Sequence, residues 1–159
     1  MKIEYKNYTA WCNAAGQYHR EDGPAIECVS GHKEWWINGE RHREDGPAVE
    51  RVNGRKEWWI NDKRHRLDGP AIEVADGYKA WYINGKLHRE DGPAYEGVNG
   101  YKEWWINGKN HREDGPAIEW SNGDKEWYLN DQEYSIEEYM ELISEKNRDK
   151  ILFNLDLYR

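Results

Sequence analysis

The chain has 159 residues, room for one domain; its 34% charged residues and mean hydropathy of −1.20 would alone suggest disorder. Ten Trp and eleven Tyr against one Phe argue otherwise, because an apolar body with a polar tip suits half-exposed positions in a thin structure with much surface. A net charge of −8 lacks the basic footprint that nucleic acid or an anionic membrane requires, and it favours solubility or a basic partner.

The N-terminal MKIEYKNY has no apolar h-region, so no signal peptide is expected. No run of about 18 apolar residues is present, so no helical membrane span is expected. Cys12 and Cys28 form neither a disulfide framework nor a metal knuckle, and a reducing cytoplasm is the default compartment.

From His19 onward a period governs the chain. HRxDGPA begins at His19, His42, His65, His88 and His111, 23 residues apart each time, and holds all five prolines. A leading strand follows each loop (AIEC, AVER, AIEV, AYEG, AIEW), then a turn with Gly31, Gly54, Gly77, Gly100 or Gly123. A returning strand comes next (KEWWI, KEWWI, KAWYI, KEWWI, KEWYL), ending at Asn38, Asn61, Asn84, Asn107 or Asn130. Ile3-Glu4 lies one period before Ile26-Glu27, and Trp11 is one residue out of phase with Trp35. The expected fold is therefore mainly β. It is a tandem β-hairpin array of six hairpins and about twelve short strands, an elongated single-layer or solenoid-like antiparallel sheet.

Charge selects the register. A two-residue turn would set Glu27 against Glu34, whereas a three-residue turn with Gly in the left-handed region sets Glu27 against Lys33. The second choice also gives Glu50/Lys56, Glu73/Lys79, Glu96/Lys102 and Glu119/Lys125, with Trp35 over Ala25. Opposed unlike charges contribute about 0.2–1 kcal/mol per pair and like charges destabilise, so the three-residue turn is expected. Alternation then separates two aromatic rows. Trp35, Trp58, Trp81, Trp104 and Trp127 share one face with the alanines; Trp36, Trp59, Tyr82, Trp105 and Tyr128 share the other with Ile26, Val49, Ile72, Tyr95 and Ile118.

Past Asn130 the pattern breaks. SIEEYMELISEK reads as a helix, with Ser135 and Glu138 as a capping box and Ile136, Tyr139, Met140 and Ile143 as its apolar stripe. ILFNLDLY reads as a second short helix or a docked tail. The expected division is a repeat domain over 1–134 and a helical cap over 135–159, the cap covering the end of the array.

The run WINGKNH, Trp105 to His111, resembles the MORN repeat, which is also about 23 residues long and builds a single-layer sheet of hairpins. The resemblance covers roughly residues 3–134 and implies a scaffold or protein-binding sheet. After the histidine, MORN units continue with Gly-x-Gly where this chain has Arg-x-Asp-Gly-Pro-Ala, so lipid binding is not carried over. The longer WWINGKxHREDGPA form is similar to uncharacterised repeat proteins of tailed phages and large DNA viruses. That likeness implies a viral protein in the host cytoplasm that inhibits a host defence factor.

Candidate chemistry is sparse. An active site is rarely copied once per structural unit, so the repeated His and Asp are read as architectural, with Asp accepting local hydrogen bonds, Gly taking positive φ and Pro fixing φ. Equivalent histidines about two strand spacings apart, roughly 9–10 Å, do not converge on a metal. No nucleophile elbow, Walker motif or GxGxxG is present. No catalytic residue, metal or cofactor is therefore assigned. The assigned site is a partner surface: Trp36, Trp59, Tyr82, Trp105 and Tyr128, rimmed by Arg43, Arg66, Arg89 and Arg112. The expected occupant is a protein or a second copy of the chain. The alternative is a small nucleotide or signal molecule, stacked on the aromatics with its phosphates on the arginines.

Overall fold

The computed structural model describes residues 1–143, so ILFNLDLY and the last residues of SIEEYMELISEK lie outside the described residues. The protein is mainly β; the described residues hold 21 strands, most of them two residues long, and one short helix, Ile136–Leu142. The described residues divide into two compact units, Met1–Lys86 and a second that begins at Leu87.

In the first unit eight strands follow one another in an open antiparallel ladder: Lys2–Glu4, Tyr8–Trp11, Ile26–Cys28, Lys33–Glu34, Val49–Glu50, Lys56–Glu57, Ile72–Glu73 and Lys79–Ala80. In the second unit five do so: Tyr95–Glu96, Lys102–Glu103, Ile118–Glu119, Lys125–Leu129 and Gln132–Tyr134.

The register is the one that charge selects. Glu27 faces Lys33, Glu50 faces Lys56, Glu73 faces Lys79, Glu96 faces Lys102 and Glu119 faces Lys125. Each turn glycine adopts positive φ (Gly31 at 94°), and Cys28 N–H bonds His32 O across a three-residue loop. The first hairpin instead closes over Lys6-Asn7, with Tyr5 N–H on Tyr8 O, and this shorter turn accounts for the phase slip at Trp11. Lysines also face glutamates of the next hairpin, Lys33 opposite Glu50 and Lys56 opposite Glu73. Lys56→Glu would thus set like charges on both sides of one position. We expect a loss of about 1–2 kcal/mol in a thermal melt, smaller at high salt where the like charges are screened; an unchanged melting temperature would mean that charge does not hold the register.

The last returning strand, KEWYL, is one strand over Lys125–Leu129 as expected, whereas the KEWWI copies depart from expectation. KEWWI is not one strand: Lys33–Glu34 belongs to the long ladder, whereas Trp36–Ile37 pairs with Glu40–Arg41 in a hairpin of its own. Trp59–Ile60 with Lys63–Arg64, and Trp105–Ile106 with Lys109–Asn110, repeat the arrangement. The strand changes partners at the first tryptophan, where Trp35 N–H bonds Ala48 O and Trp35 O accepts from His42 N–H. Asn38 and Gly39, with φ of 49° and 84°, make the two-residue turn that requires left-handed backbone at both positions. These small hairpins raise the strand count above the expected twelve.

The HRxDGPA loop is the joint between repeats. His19 Nδ1 accepts from Asn38 N–H at 3.1 Å, and His65 and His111 accept in the same way from Asn84 and Asn130. Arg66 donates from Nε to Asp68 at 2.9 Å and from Nη1 to Pro70 O at 3.2 Å and Glu73 at 2.8 Å. Its guanidinium lies 3.9 Å from the centre of the Trp58 ring. The hydrogen bond from Arg66, and then its charge, hold the Asp68 carboxyl below the usual carboxylate range. The loop glycines correct one expectation, since none adopts positive φ. Glycine is needed there because the arginine lies on the backbone: a Cβ at Gly69 would sit 3.0 Å from Arg66 Cζ, and one at Gly115 2.8 Å from Arg112 Cζ.

The core is thin. Ala25, Ala48, Ala71, Ala94 and Ala117 are fully buried, joined by Val49, Ile72 and Ile118. The capping box at Ser135 and Glu138 forms as expected. Behind it Tyr139 and Ile143 are buried against Trp127, Leu129, Tyr134 and Met140, so the helix covers the last strands of the second unit.

Candidate partner-binding face

The small hairpins build the site. Each sets the second aromatic of WW or WY directly across from the residue two places after the turn, so Trp36 faces Arg41 and Trp59 faces Arg64. Arg41 lies 4.5 Å from the Trp36 ring centre and 5.2 Å from that of Trp59; Arg64 lies 4.8 Å from Trp59 and 5.5 Å from Tyr82. Tyr18 packs on Trp36 at 5.6 Å. The first unit thus carries a ladder in which ring and guanidinium alternate, Trp36–Arg41–Trp59–Arg64–Tyr82, with Tyr18 packed on its first ring. Cation–π contacts are worth about 0.5–1 kcal/mol each at exposed sites, so the ladder mainly orders these side chains.

Carboxylates lie behind the rings. Glu34 accepts from Trp36 Nε1 at 2.9 Å and contacts His32 Nε2 at 2.8 Å. Glu57 is 5% exposed and accepts from Arg55 at 2.7 Å and from Arg64 at 3.3 Å. Burial pushes the Glu57 carboxyl up, but the Arg55 hydrogen bond and the charges of Arg55 and Arg64 outweigh it and leave the group below its ordinary range. Glu57 is taken by two arginines, and among the described residues the buried Trp59 Nε1 has no acceptor.

The second unit carries a different version. Glu103 accepts from both Trp105 Nε1 and the Tyr101 hydroxyl. Tyr101 packs on Tyr95 at 5.6 Å and on Trp120 at 4.7 Å. Trp120 is 43% exposed and donates to Glu126 at 2.8 Å, and Tyr128 donates to the same carboxylate at 3.1 Å.

Five of the sequence-assigned residues, Trp36, Trp59, Tyr82, Trp105 and Tyr128, are half-buried. The loop arginines do not rim them. Arg43, Arg66 and Arg112 stack instead on Trp35, Trp58 and Trp104 of the first row, and Arg89 is held by Asp91, Pro93 O and Glu96. Their fork is used inside the repeat. Sequence reasoning missed Arg41, Arg64, Tyr101 and Trp120. The Asn-Gly dipeptide carried the signal for Arg41, because a two-residue hairpin turn at Asn38 puts Arg41 opposite Trp36.

Position by position, one set of residues is constant and the other varies. Ala, the Glu–Lys pair, the first Trp, His and Arg recur. On the second face, positions 32, 55, 78, 101 and 124 are His, Arg, Tyr, Tyr and Asp, and positions 41, 64, 87, 110 and 133 are Arg, Arg, Leu, Asn and Glu. Among the described residues no group of three or more His, Cys, Asp or Glu is placed to hold a metal ion, and no helix is long and apolar enough to cross a membrane. No protein-family model matches the chain, and no curated protein matches it.

Proposed function

We propose that the chain is a non-catalytic, MORN-like repeat module that binds a protein partner through its second aromatic row. The observation that carries this reading is the ladder of Trp36, Arg41, Trp59, Arg64 and Tyr82. Trp, Tyr and Arg dominate binding hot spots, and side chains already ordered before contact lose less entropy on association. The varied chemistry of the same face over a constant framework supports specificity for one surface. A nucleotide is favoured less, since a base would have to displace a guanidinium to reach the flat of Trp59.

The test is capture by the immobilised protein, followed by affinity measurement on the retained protein. Trp59→Ala and Trp105→Ala should each weaken the dissociation constant by about thirtyfold, the factor for a hot spot of about 2 kcal/mol, with circular dichroism unchanged. Collapse of the circular dichroism signal would reassign these rings to the framework. Unchanged affinity would remove the face from the binding site.

A further inference from the structure

In the first unit the second-row rings are served by guanidinium groups of the chain itself. Arg41 faces Trp36 in its small hairpin and lies 4.5 Å from that ring centre, 5.2 Å from that of Trp59 and, at Nε, 3.7 Å from Glu34. Arg64 stands in the same way to Trp59, Tyr82 and Glu57. Each step of this face thus combines a shielded carboxylate, two rings and one planar cation.

Three periods later the second unit repeats the carboxylates and the rings and omits the cations. Glu103 and Glu126 occupy the positions of Glu34 and Glu57, and Trp105 and Tyr128 those of Trp36 and Trp59. Across from these rings stand Asn110 and Glu133 in place of Arg41 and Arg64. Among the described residues Glu103 accepts from two neutral donors, Trp105 Nε1 and the Tyr101 hydroxyl. Glu126 likewise accepts from Trp120 Nε1 and the Tyr128 hydroxyl. Asn110 is shorter than arginine, and its Oδ1 is buried with no donor among the described residues. Burial, then the bond and charge of Glu103 and the charge of Glu126, push the Tyr101 hydroxyl up, which accords with a face of uncompensated negative charge.

We infer that this face of the second unit takes an arginine side chain of the partner protein, seated on Trp105 against Glu103 as Arg41 is seated on Trp36 against Glu34. The inference rests on the second-row reading and names the chemistry which that row meets in the second unit. Charge complementarity selects a cation, since ring faces and carboxylates both attract one. Geometry selects arginine over lysine, because a planar fork can lie on an indole and bond a carboxylate at the same time.

The test is a titration of the 159-residue chain with acetyl-arginine amide, and with acetyl-citrulline amide as the neutral probe of nearly the same shape, followed through the tryptophan indole N–H resonances. The arginine probe should shift the Trp105 resonance saturably and leave those of Trp36 and Trp59 in place, since Arg41 and Arg64 already cover these two rings. The citrulline probe should bind about tenfold more weakly, the factor for one charge-assisted hydrogen bond. Glu103→Gln should weaken the arginine probe by about the same factor. Asn110→Arg, which restores the guanidinium of the first unit, should abolish the shift while keeping the fold. Equal affinity for the two probes, no saturable shift at Trp105, or an undiminished shift in Asn110→Arg would each overturn the inference. The titration needs no partner, so its failure beside a loss of partner affinity in Trp105→Ala would remove the arginine and leave the second-row reading standing.

Discussion

Arg66→Lys should unfold the protein about 5–15 °C below the unaltered chain, nearly as far below it as Arg66→Ala. The expectation rests on geometry rather than charge. Arg66 bonds Asp68, the Pro70 carbonyl and Glu73 at once and lays its flat face on Trp58. A lysine ammonium is a point donor. It can reach one carboxylate, offers no plane to the indole and leaves the carbonyl unserved. Charge-assisted bonds at a side chain only 21% exposed, together with the stacked ring, account for a loss of about 2–4 kcal/mol. Recovery of the full melting temperature by lysine would show that net charge alone holds the loop.

Tyr139→Ala should cost about 3–5 kcal/mol, the range for emptying a large aromatic site. Tyr139 is fully buried, and its hydroxyl donates to Arg112 O at 2.6 Å. Tyr139→Phe keeps the ring and loses only that bond, so it should cost about 1 kcal/mol. The same residue sets an alkaline limit. Burial pushes the Tyr139 hydroxyl up to about 12, and burial with the Glu126 bond does the same for Tyr128. The unfolded hydroxyl titrates near about 10. A pKa raised by folding contributes stability that is complete below the unfolded value and is lost as pH rises through the folded one. The part of the tyrosinate absorbance that Tyr139→Phe removes should therefore appear together with loss of circular dichroism, between about pH 10 and 12. Ionisation of Tyr139 near pH 10 with the fold intact would contradict its burial.

Much of the long ladder is legible in the sequence because its determinants are local. Glu27 and Lys33 lie within one hairpin, Gly31 fixes the turn between them, and like charges rule out the neighbouring register. Ser135 and Glu138 announce the helix start for the same reason. The split of KEWWI was not legible from alternation, because Trp35 and Trp36 continue an extended backbone while their hydrogen bonds go to different partners. Periodicity records side-chain direction, not which strand a carbonyl meets. The two tryptophan rows posed a related problem: one sheet cannot bury both faces without a second layer. In this protein part of that layer is arginine. Arg43 and Arg66 cover first-row rings and Arg41 and Arg64 second-row rings, so rings of both rows remain half-exposed yet ordered. A guanidinium counted as charge in the composition acts here as a planar covering group, and that is why the loop arginines looked available for a partner when read from sequence.

The central claim is that the first row builds the framework and the second row meets a protein. Hydroxyl-radical footprinting of the complex recovered by capture, read by mass spectrometry at single-residue level, tests it most directly because it separates adjacent tryptophans. Trp59 and Trp105 should be protected by the partner while Trp58 and Trp104 keep the oxidation rate of the free protein. Protection of Trp58 and Trp104 in their place, or no retained protein to footprint, would contradict it.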